Sequence, residues 1–170
     1  TNKDAKNFKL MECPLDKTGV ENWKDYIPHR TDVLLQGVEE FKDFIVVNER
    51  KNGLVQFRVR SLKDNSEYYI DFGEAAFAAG FTGNAEYNSP ILRYNYTSLT
   101  TPASIYDYNL QTKAKKLMKQ QEVVGGYNPQ DYVSERVMVT AKDGAQVPLS
   151  IVYKKGFKKD GTAPLLLYAY

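Results

Sequence analysis

The residue types that most often do chemistry are few in this sequence. His29 is the only histidine, in the stretch "YIPHRTD", and Cys13 is the only cysteine. A Ser-His-Asp triad would need His29 as its base, but no serine lies in the G-x-S-x-G pattern of a nucleophile elbow. One histidine and one cysteine are also too few for a zinc site. We therefore expect no complete triad, no metal and no cofactor, and we interpret His29 as a surface or hydrogen-bonded loop residue and Cys13 as a small buried hydrophobic residue.

Two further patterns have structural interpretations. Gly125 and Gly126 lack the Lys-Ser/Thr of a phosphate-binding loop, which favours a linker. The carboxylates of Glu39, Glu40, Asp43 and Asp71 show no paired placement beyond turn positions. A set of lysines is typical of an exposed strand edge, where lysine discourages edge pairing, rather than of a polyanion site. These are Lys113, Lys115, Lys116 and Lys119.

Composition excludes several classes of protein. Hydrophobic residues make up 42% of the 170 residues and charged residues 26%, an ordinary globular balance. The net charge of +2 is far below that of a typical nucleic-acid footprint. No apolar run approaches the roughly 20 residues of a membrane span, and no signal-peptide core is visible near the first residue. The sequence therefore predicts no nucleic-acid partner and no membrane segment.

The elements that must position any site are predicted to be β-strands. Aromatic residues are 13% of the chain, and they suit pleated, half-buried surfaces. The stretch "LVQFRVRSL" alternates apolar and polar side chains, and Asn52-Gly53 just before it favours a tight hairpin turn. We therefore expect four short antiparallel strands between about Val33 and Phe72.

The pattern recurs along the chain. Phe44 and Ile91 open corresponding strands, and Leu62 and Leu110 close them, a spacing of about 47 residues that is typical of propeller blades. A β-sandwich also makes short strands at regular spacing, so two copies leave both architectures open. The stretch "EAAFAAGF" has alanines that favour a helix, but the neighbouring strand pattern outweighs this propensity.

The residue composition changes after Val124. The stretch "GGYNPQ" is punctuation of the kind that joins domains. Two alternating strands and a charged loop follow, and the chain then reads "PLLLYAY", the apolar run of a strand buried on both faces. The first residue is not Met and the last lies within such a run, so we expect a piece of a longer chain.

Four stretches, in this order, resemble the prolyl oligopeptidase family of serine peptidases, closest to its oligopeptidase B (protease II) branch. They are "NWKDYIPHRTDVLLQGVEEFKDFIVVNER", "YTSLTTPASIYDYNLQT", "YVSERVMVTAKDGAQVPLSIVYKKGF" and "PLLLYAY". The resemblance implies a mainly β fold, with the last blades of a seven-bladed β-propeller followed by the first strands of an α/β-hydrolase domain. It implies a propeller part over residues 1–121 and the start of the peptidase domain over residues 122–170. Within the propeller it implies the end of the fifth blade (residues 7–28), the sixth blade (32–72) and the seventh blade (74–121).

The resemblance also implies an activity. The longer protein would hydrolyse peptide bonds in oligopeptides, after Arg or Lys if the branch is right, with the propeller restricting access. Tyr170 matches the tyrosine of a Tyr-Gly-Tyr-Gly motif whose hydroxyl serves the oxyanion hole, although Ala169 replaces a glycine of that motif. The triad would lie outside these residues, so we expect the 170-residue piece alone to be inactive.

Other interpretations stay open at this point. The chain would alternatively be a non-enzymatic β-rich module that binds a peptide or glycan, or a structural domain that assembles through strand edges. With only two whole blades, we expect self-association through open edges. The compartment is expected to be cytoplasmic, with a periplasmic location as the alternative.

Overall fold

A computed structural model describes residues 1–169, and its regular structure is almost entirely antiparallel β. Two short 3-10 turns, Val20–Asn22 and Pro129–Asp131, interrupt the strands. The strands are β1 Leu10–Glu12, β2 Lys24–Ile27, β3 Val33–Phe41, β4 Phe44–Lys51, β5 Leu54–Ser61, β6 Glu67–Tyr69, β7 Phe77–Phe81, β8 Ile91–Ser98, β9 Ser104–Asn109, β10 Lys115–Gln120, β11 Tyr132–Thr140 and β12 Gln146–Lys154.

Two four-stranded sheets form the body of the chain. The first sheet has the order β3-β4-β5-β6 and the second sheet the order β7-β8-β9-β10, so each is an up-and-down meander in chain order. Strand β1 pairs with β2, and β11 pairs with β12, as separate two-stranded sheets. The predicted repeat is confirmed, because Phe44 and Ile91 are the first residues of the equivalent strands β4 and β8.

Local sequence explains the tight turn of the first sheet. Asn52 and Gly53 both adopt positive φ, 50° and 75°, as a two-residue hairpin turn between β4 and β5 requires. The predicted alternation in β5 is also confirmed, since Val55, Phe57 and Val59 are buried. A one-residue slip would move these side chains to the other face, so the buried face fixes the register.

The core lies between the two sheets and is rich in aromatic rings. Phe57 is fully buried, with its ring centroid 4.7 Å from that of Phe81 and 5.8 Å from that of Tyr94. Phe81 belongs to β7, so the stretch "EAAFAAGF" contributes a strand, as expected, rather than a helix. Phe77 in the same strand also packs against the core, which places Ala78 and Gly80 on the opposite face of the second sheet.

Two sequence-based predictions are wrong. Cys13 is exposed rather than buried, because β1 ends at Glu12 and Pro14 begins a loop outside the β1–β2 pairing. The run "PLLLYAY" was expected to be a buried strand, but residues 161–169 form no strand and Leu166 is 89% exposed. A strand needs a neighbour for its backbone hydrogen bonds, and in the described part of the chain β11 and β12 pair only with each other.

Strand β10 matches the prediction for three of the four lysines, whereas Lys113 lies in the turn before it, with its Nζ 4.2 Å from the centroid of the Tyr68 ring. The strand is exposed along its whole length and lies at an edge of the second sheet, with Lys115, Lys116 and Lys119 on it. Lysines on an edge strand discourage pairing with another chain.

Candidate functional site

The chain after residue 121 contacts one end of each four-stranded sheet. The β4–β5 turn and the β8–β9 turn are equivalent hairpins, so they lie at the same end, which we call the turn end (residues 52–53 and 99–103). The Tyr127 hydroxyl donates a hydrogen bond of 2.5 Å to the Thr100 carbonyl, and the Arg136 guanidinium donates to the Asn52 carbonyl. The turn end is therefore where the two parts of the chain meet.

Gly53 is part of this contact. A Cβ atom at Gly53 would lie 3.3 Å from Arg136 Nη2 and 3.3 Å from Pro148 Cγ. Because glycine has no side chain, Gly53 can adopt the positive φ of the turn and also leaves room for the close approach of the β11–β12 hairpin.

A buried carboxylate marks the turn end of the first sheet. Glu49 lies near the end of β4 and is only 1% exposed. Its Oε2 accepts hydrogen bonds from Arg30 Nη2 at 3.0 Å and from the Tyr69 hydroxyl at 3.1 Å. Its Oε1 accepts from Arg58 Nε at 2.9 Å, with Arg58 Nη2 at 2.8 Å from the same oxygen. A carboxylate removed from water needs such partners, and here two guanidinium groups balance its charge.

Arg30 connects this carboxylate to the segment that precedes the first sheet. Its partial burial lowers the pKa of the guanidinium, but hydrogen bonding with Tyr69 and attraction to Glu49 outweigh this, so the pKa is raised overall. The adjacent His29 accepts a hydrogen bond from the backbone N–H of Asn7 at Nε2, 3.3 Å away. The Asn7 side-chain amide donates to the carbonyls of Arg30 and Thr31. These bonds confirm His29 as a hydrogen-bonded loop residue.

A second carboxylate lies at the turn end of the second sheet, just ahead of β7. Glu74 Oε1 accepts hydrogen bonds from the Tyr96 hydroxyl at 2.8 Å and from Thr101 Oγ1 at 2.6 Å. Its Oε2 accepts from Ser98 Oγ at 2.5 Å and from Thr100 Oγ1 at 2.7 Å. Four hydroxyl groups thus satisfy one carboxylate, in the absence of any ion pair to it within residues 1–169.

The hydroxyl groups decide the charge state of Glu74. Burial raises the pKa of its carboxyl, but the hydrogen bonds from Ser98, Thr101, Thr100 and Tyr96 together outweigh burial, so the pKa is lowered overall. Glu74 is therefore an anion at neutral pH. Its negative charge also acts on Tyr127, whose phenol pKa is raised, first by burial and then by Tyr132 and Glu74.

The hydrogen-bonded groups around Glu49 and Glu74 were not predicted from the sequence. Glu49 stands in "VVNER", which the sequence shows only as the end of a strand before a turn. Glu74 stands 22 residues before Tyr96, its hydroxyl partner on β8. The only signal was the density of hydroxyl residues in "YTSLTTPAS", which has no meaning until the acid is placed beside it.

Residues 1–169 contain no group of three or more His, Cys, Asp or Glu side chains placed to hold a metal ion. Over the same range there is no helix long and apolar enough to cross a bilayer. Tyr170, the predicted oxyanion-hole residue, lies outside the described residues.

A groove of about 630 Å³ lies on the face of the second sheet that points away from the first. Small side chains form part of its floor, and its lining includes Ala78, Gly80, Asn95, Thr97 and Ile105.

Two four-stranded antiparallel meanders that pack face to face fit a β-propeller or a β-sandwich, and the family match decides for the propeller. Residues 1–121 match the family described as "Prolyl oligopeptidase, N-terminal beta-propeller domain". The chain belongs to the prolyl oligopeptidase family. The family resemblance seen in the sequence is thereby confirmed.

Curated relatives and solved structures agree with this assignment. The chain is 44% identical over 172 residues to "Dipeptidyl aminopeptidase BI" of Pseudoxanthomonas mexicana, and 32% identical over 171 residues to "Protease 2" of Moraxella lacunata. Each match covers 100% of this chain and 24% of the relative, so the chain spans about a quarter of the length of the curated relatives it matches.

Two oligopeptidase B structures are similar in fold. One, from Trypanosoma brucei in a closed form with covalently bound antipain, is 31% identical, covers 79% of this chain and 20% of its own, and has a TM-score of 0.67. The other, from Leishmania major, is 26% identical, covers 91% of this chain and 23% of its own, and has a TM-score of 0.76.

Proposed function

We propose that the protein is a serine oligopeptidase that hydrolyses short peptides, preferentially after Arg or Lys, and that its propeller limits access to the active site. The observation that carries the proposal is the family match over residues 1–121. The identities to a dipeptidyl aminopeptidase and to a protease 2 across the whole chain support it. The alternative of a non-enzymatic binding module has no comparable support.

The proposal divides the chain by role. Residues 1–121 would contribute the end of the fifth blade, the sixth blade and the seventh blade of the propeller. The groove on the outer face of the second sheet is the surface on which a further blade would pack. Residues 122–170 would begin the peptidase domain, whose contacts with the propeller are those at the turn end.

The chemistry would follow the serine-peptidase pattern. A serine attacks the scissile carbonyl, a histidine takes its proton, and an aspartate orients that histidine. In this proposal those three residues lie outside the 170 residues. Tyr170 would donate its phenol O–H to the oxyanion that develops in the tetrahedral intermediate, which lowers the barrier to attack.

A substrate panel on the whole protein tests the proposed activity. The panel uses peptide amides with Arg, Lys or Pro before the scissile bond, each with a free and a blocked amino terminus. We expect hydrolysis of the Arg and Lys amides, and loss of all activity with a reagent that acylates serine nucleophiles. Faster cleavage of the Pro amides would overturn the Arg/Lys preference. If only dipeptidyl amides with a free amino terminus are cleaved, the protein releases dipeptides from the amino terminus and is not an endopeptidase.

Length dependence tests the gating role. We expect peptides of increasing length to be cleaved ever more slowly, and a folded protein with exposed Arg and Lys residues to resist cleavage. Equal cleavage rates per susceptible bond for short peptides and for an unfolded protein would contradict gating.

The substitution Tyr170→Phe in the whole protein tests the oxyanion role. It removes one hydroxyl, and we expect turnover to fall by about 10²–10³-fold, the typical effect of losing one oxyanion donor. Tyr87→Phe, at an exposed tyrosine, is the matched control and should leave turnover unchanged. Unchanged turnover in Tyr170→Phe would exclude the oxyanion role.

A further inference from the structure

We propose that Glu74, the turn of residues 98–101 and Tyr127 form a latch that fixes how the chain passes from the second sheet into the β11–β12 hairpin. In this latch Glu74 is a positioning residue, because it acts on Tyr127 through the turn. The kinetic part of the inference rests on the proposed peptidase function, whereas the structural part does not.

Glu74 holds the turn through side chains from both of its ends. Tyr96 and Ser98 belong to β8, whereas Thr100 and Thr101 lie beyond it, and all four hydroxyl groups donate to the one carboxylate. Hydrogen bonds to an ionised acceptor are shorter and about twice as strong as those between neutral groups. The bond lengths of 2.5–2.8 Å agree with that strength.

The backbone of the turn is fixed as well. The N–H of Ser98 donates to the carbonyl of Thr101 at 3.0 Å, and the N–H of Thr100 donates to Ser98 Oγ at 3.0 Å. Thr97 Oγ1 also donates to the Thr101 carbonyl at 3.1 Å. These bonds fix the orientation of the Thr100 carbonyl, which accepts the hydrogen bond from the Tyr127 hydroxyl.

Within residues 1–169, the segment just before Tyr127 makes few contacts with the rest of the chain. Gly125 and Gly126 adopt φ of 90° and 85°, and a Cβ atom at either would have nothing within 4 Å. The neighbouring Val124 is 96% exposed. Tyr127 is thus the first residue after the two glycines that is tied to the second sheet, and its ring lies 5.5 Å from that of Tyr132, the first residue of β11.

The latch therefore transmits a position along the chain. Glu74 fixes the conformation of the turn, and the turn fixes the position of the Thr100 carbonyl. That carbonyl holds the Tyr127 hydroxyl, and the Tyr127 ring packs against Tyr132 at the start of β11. If residues 122–170 begin the peptidase domain, loosening the latch lets that domain spend more time away from its productive placement over the propeller.

Hydrogen exchange of the whole protein, followed by mass spectrometry, tests the direction of this coupling. Tyr127→Phe removes only the hydroxyl, and we expect amides of residues 122–131 to exchange about threefold to tenfold faster, as the loss of one net hydrogen bond predicts. Residues 98–101 should keep their protection in this variant. Glu74→Ala should speed exchange in both segments, and Tyr87→Phe in neither.

The double variant and the conservative variant complete the test. If Glu74 acts through Tyr127, Glu74→Ala combined with Tyr127→Phe exchanges at residues 122–131 no faster than Glu74→Ala alone. Glu74→Gln keeps the shape and an acceptor oxygen, so it should retain most of the protection. Additive effects, or exchange in Tyr127→Phe within twofold of the wild type, would overturn the latch.

Steady-state kinetics supply a readout that a purely structural role would not move. For a short amide substrate we expect Tyr127→Phe to lower kcat by about threefold to tenfold and to change KM by less than twofold, because ground-state binding is retained. Unchanged kcat together with faster exchange would confine the latch to structure and overturn the kinetic part. A wild-type protein that cleaves no peptide would refute the proposed function, and the exchange experiment would still decide the latch.

Discussion

Each of the two sheets holds a carboxylate at its turn end, but the two carboxylates have different hydrogen-bond partners. Arg30 lies just ahead of β3 and reaches Glu49 on β4, whereas Glu74 lies just ahead of β7 and reaches Tyr96 on β8. Glu49 and Tyr96 are separated by the same spacing as Phe44 and Ile91, so the two pairs occupy equivalent places in the repeat. The first sheet balances its acid with two guanidinium groups, and the second satisfies its acid with four hydroxyl groups.

This difference teaches how a repeated sheet acquires separate roles at one position. Charge pairing between Arg30 and Glu49 ties the first sheet to the segment that precedes it. Hydroxyl donors around Glu74 instead order a turn, and that turn holds the segment that follows the second sheet. The same position in the repeat therefore contacts the preceding segment of the chain in the first sheet and the following segment in the second sheet.

Removal of each acid should give the largest contrast. We expect Glu49→Ala to lower the free energy of unfolding by about 3 kcal/mol, because it leaves the half-buried Arg30 without its ion-pair partner and Arg58 with Glu67 alone. Glu74→Ala should cost about 1–2 kcal/mol, because the freed hydroxyl groups are neutral and find other partners or water. Urea unfolding of the chain measures both, with Glu40→Ala, at an exposed site, as a control expected within about 0.5 kcal/mol of the wild type. A larger loss in Glu74→Ala than in Glu49→Ala would reverse the comparison.

A matched pair of tyrosines on β8 sharpens the account of the second sheet. Tyr94 and Tyr96 are both buried, yet only the Tyr96 hydroxyl has a hydrogen-bond partner in residues 1–169. We expect Tyr96→Phe to cost about 1.5 kcal/mol, the lower range for a hydrogen bond to a charged group. Tyr94→Phe should leave stability unchanged or raise it by up to about 1 kcal/mol, since it removes an unsatisfied buried hydroxyl. Equal losses in the two variants would show that the hydrogen bond from Tyr96 to Glu74 adds nothing to stability.

The smallest expected effect is the pH dependence that Glu74 introduces. Its carboxyl pKa is lower in the folded chain than the ordinary value of 4.5, so its ionised form stabilises the fold. This contribution is fully present above pH 4.5 and is lost as the pH falls through the folded pKa. The difference in unfolding free energy between the wild type and Glu74→Gln should therefore be constant near neutral pH and shrink in acid. A difference that grows as the pH falls would show that the carboxyl is stabilised in its protonated form.

The sequence predicted the sheets well because their signals are local. Alternation in β5 and the Asn52-Gly53 turn each follow from a few neighbouring residues, and the repeat places β8 by analogy with β4. The prediction that Cys13 is buried failed because its burial depends on where β1 ends, and a single apolar residue does not determine that end. The final apolar run failed because a buried strand needs neighbouring strands, and the described residues provide none for it.

The candidate site was harder to predict because its partners are distant in sequence. The Glu49–Arg30 pair spans 19 residues and the Glu74–Thr101 pair 27. Their spacing is set by the sheet repeat and not by any motif, so neither acid stands out from the other carboxylates in the sequence. Only the placement of β3 next to β4, and of β7 next to β8, brings these groups together.

The contact at Gly53 has a practical consequence for protein engineering. Hairpin tips are usually good places to insert a reporter peptide, since exposed loop tips tolerate additions. The tip at residues 52–53 is closed to such use, because the Arg136 and Pro148 side chains already occupy the space beside it. The tip at residues 63–65, which joins β5 to β6 in the same sheet, is exposed and lies at the opposite end, so it is the better site for a fluorescent or affinity tag.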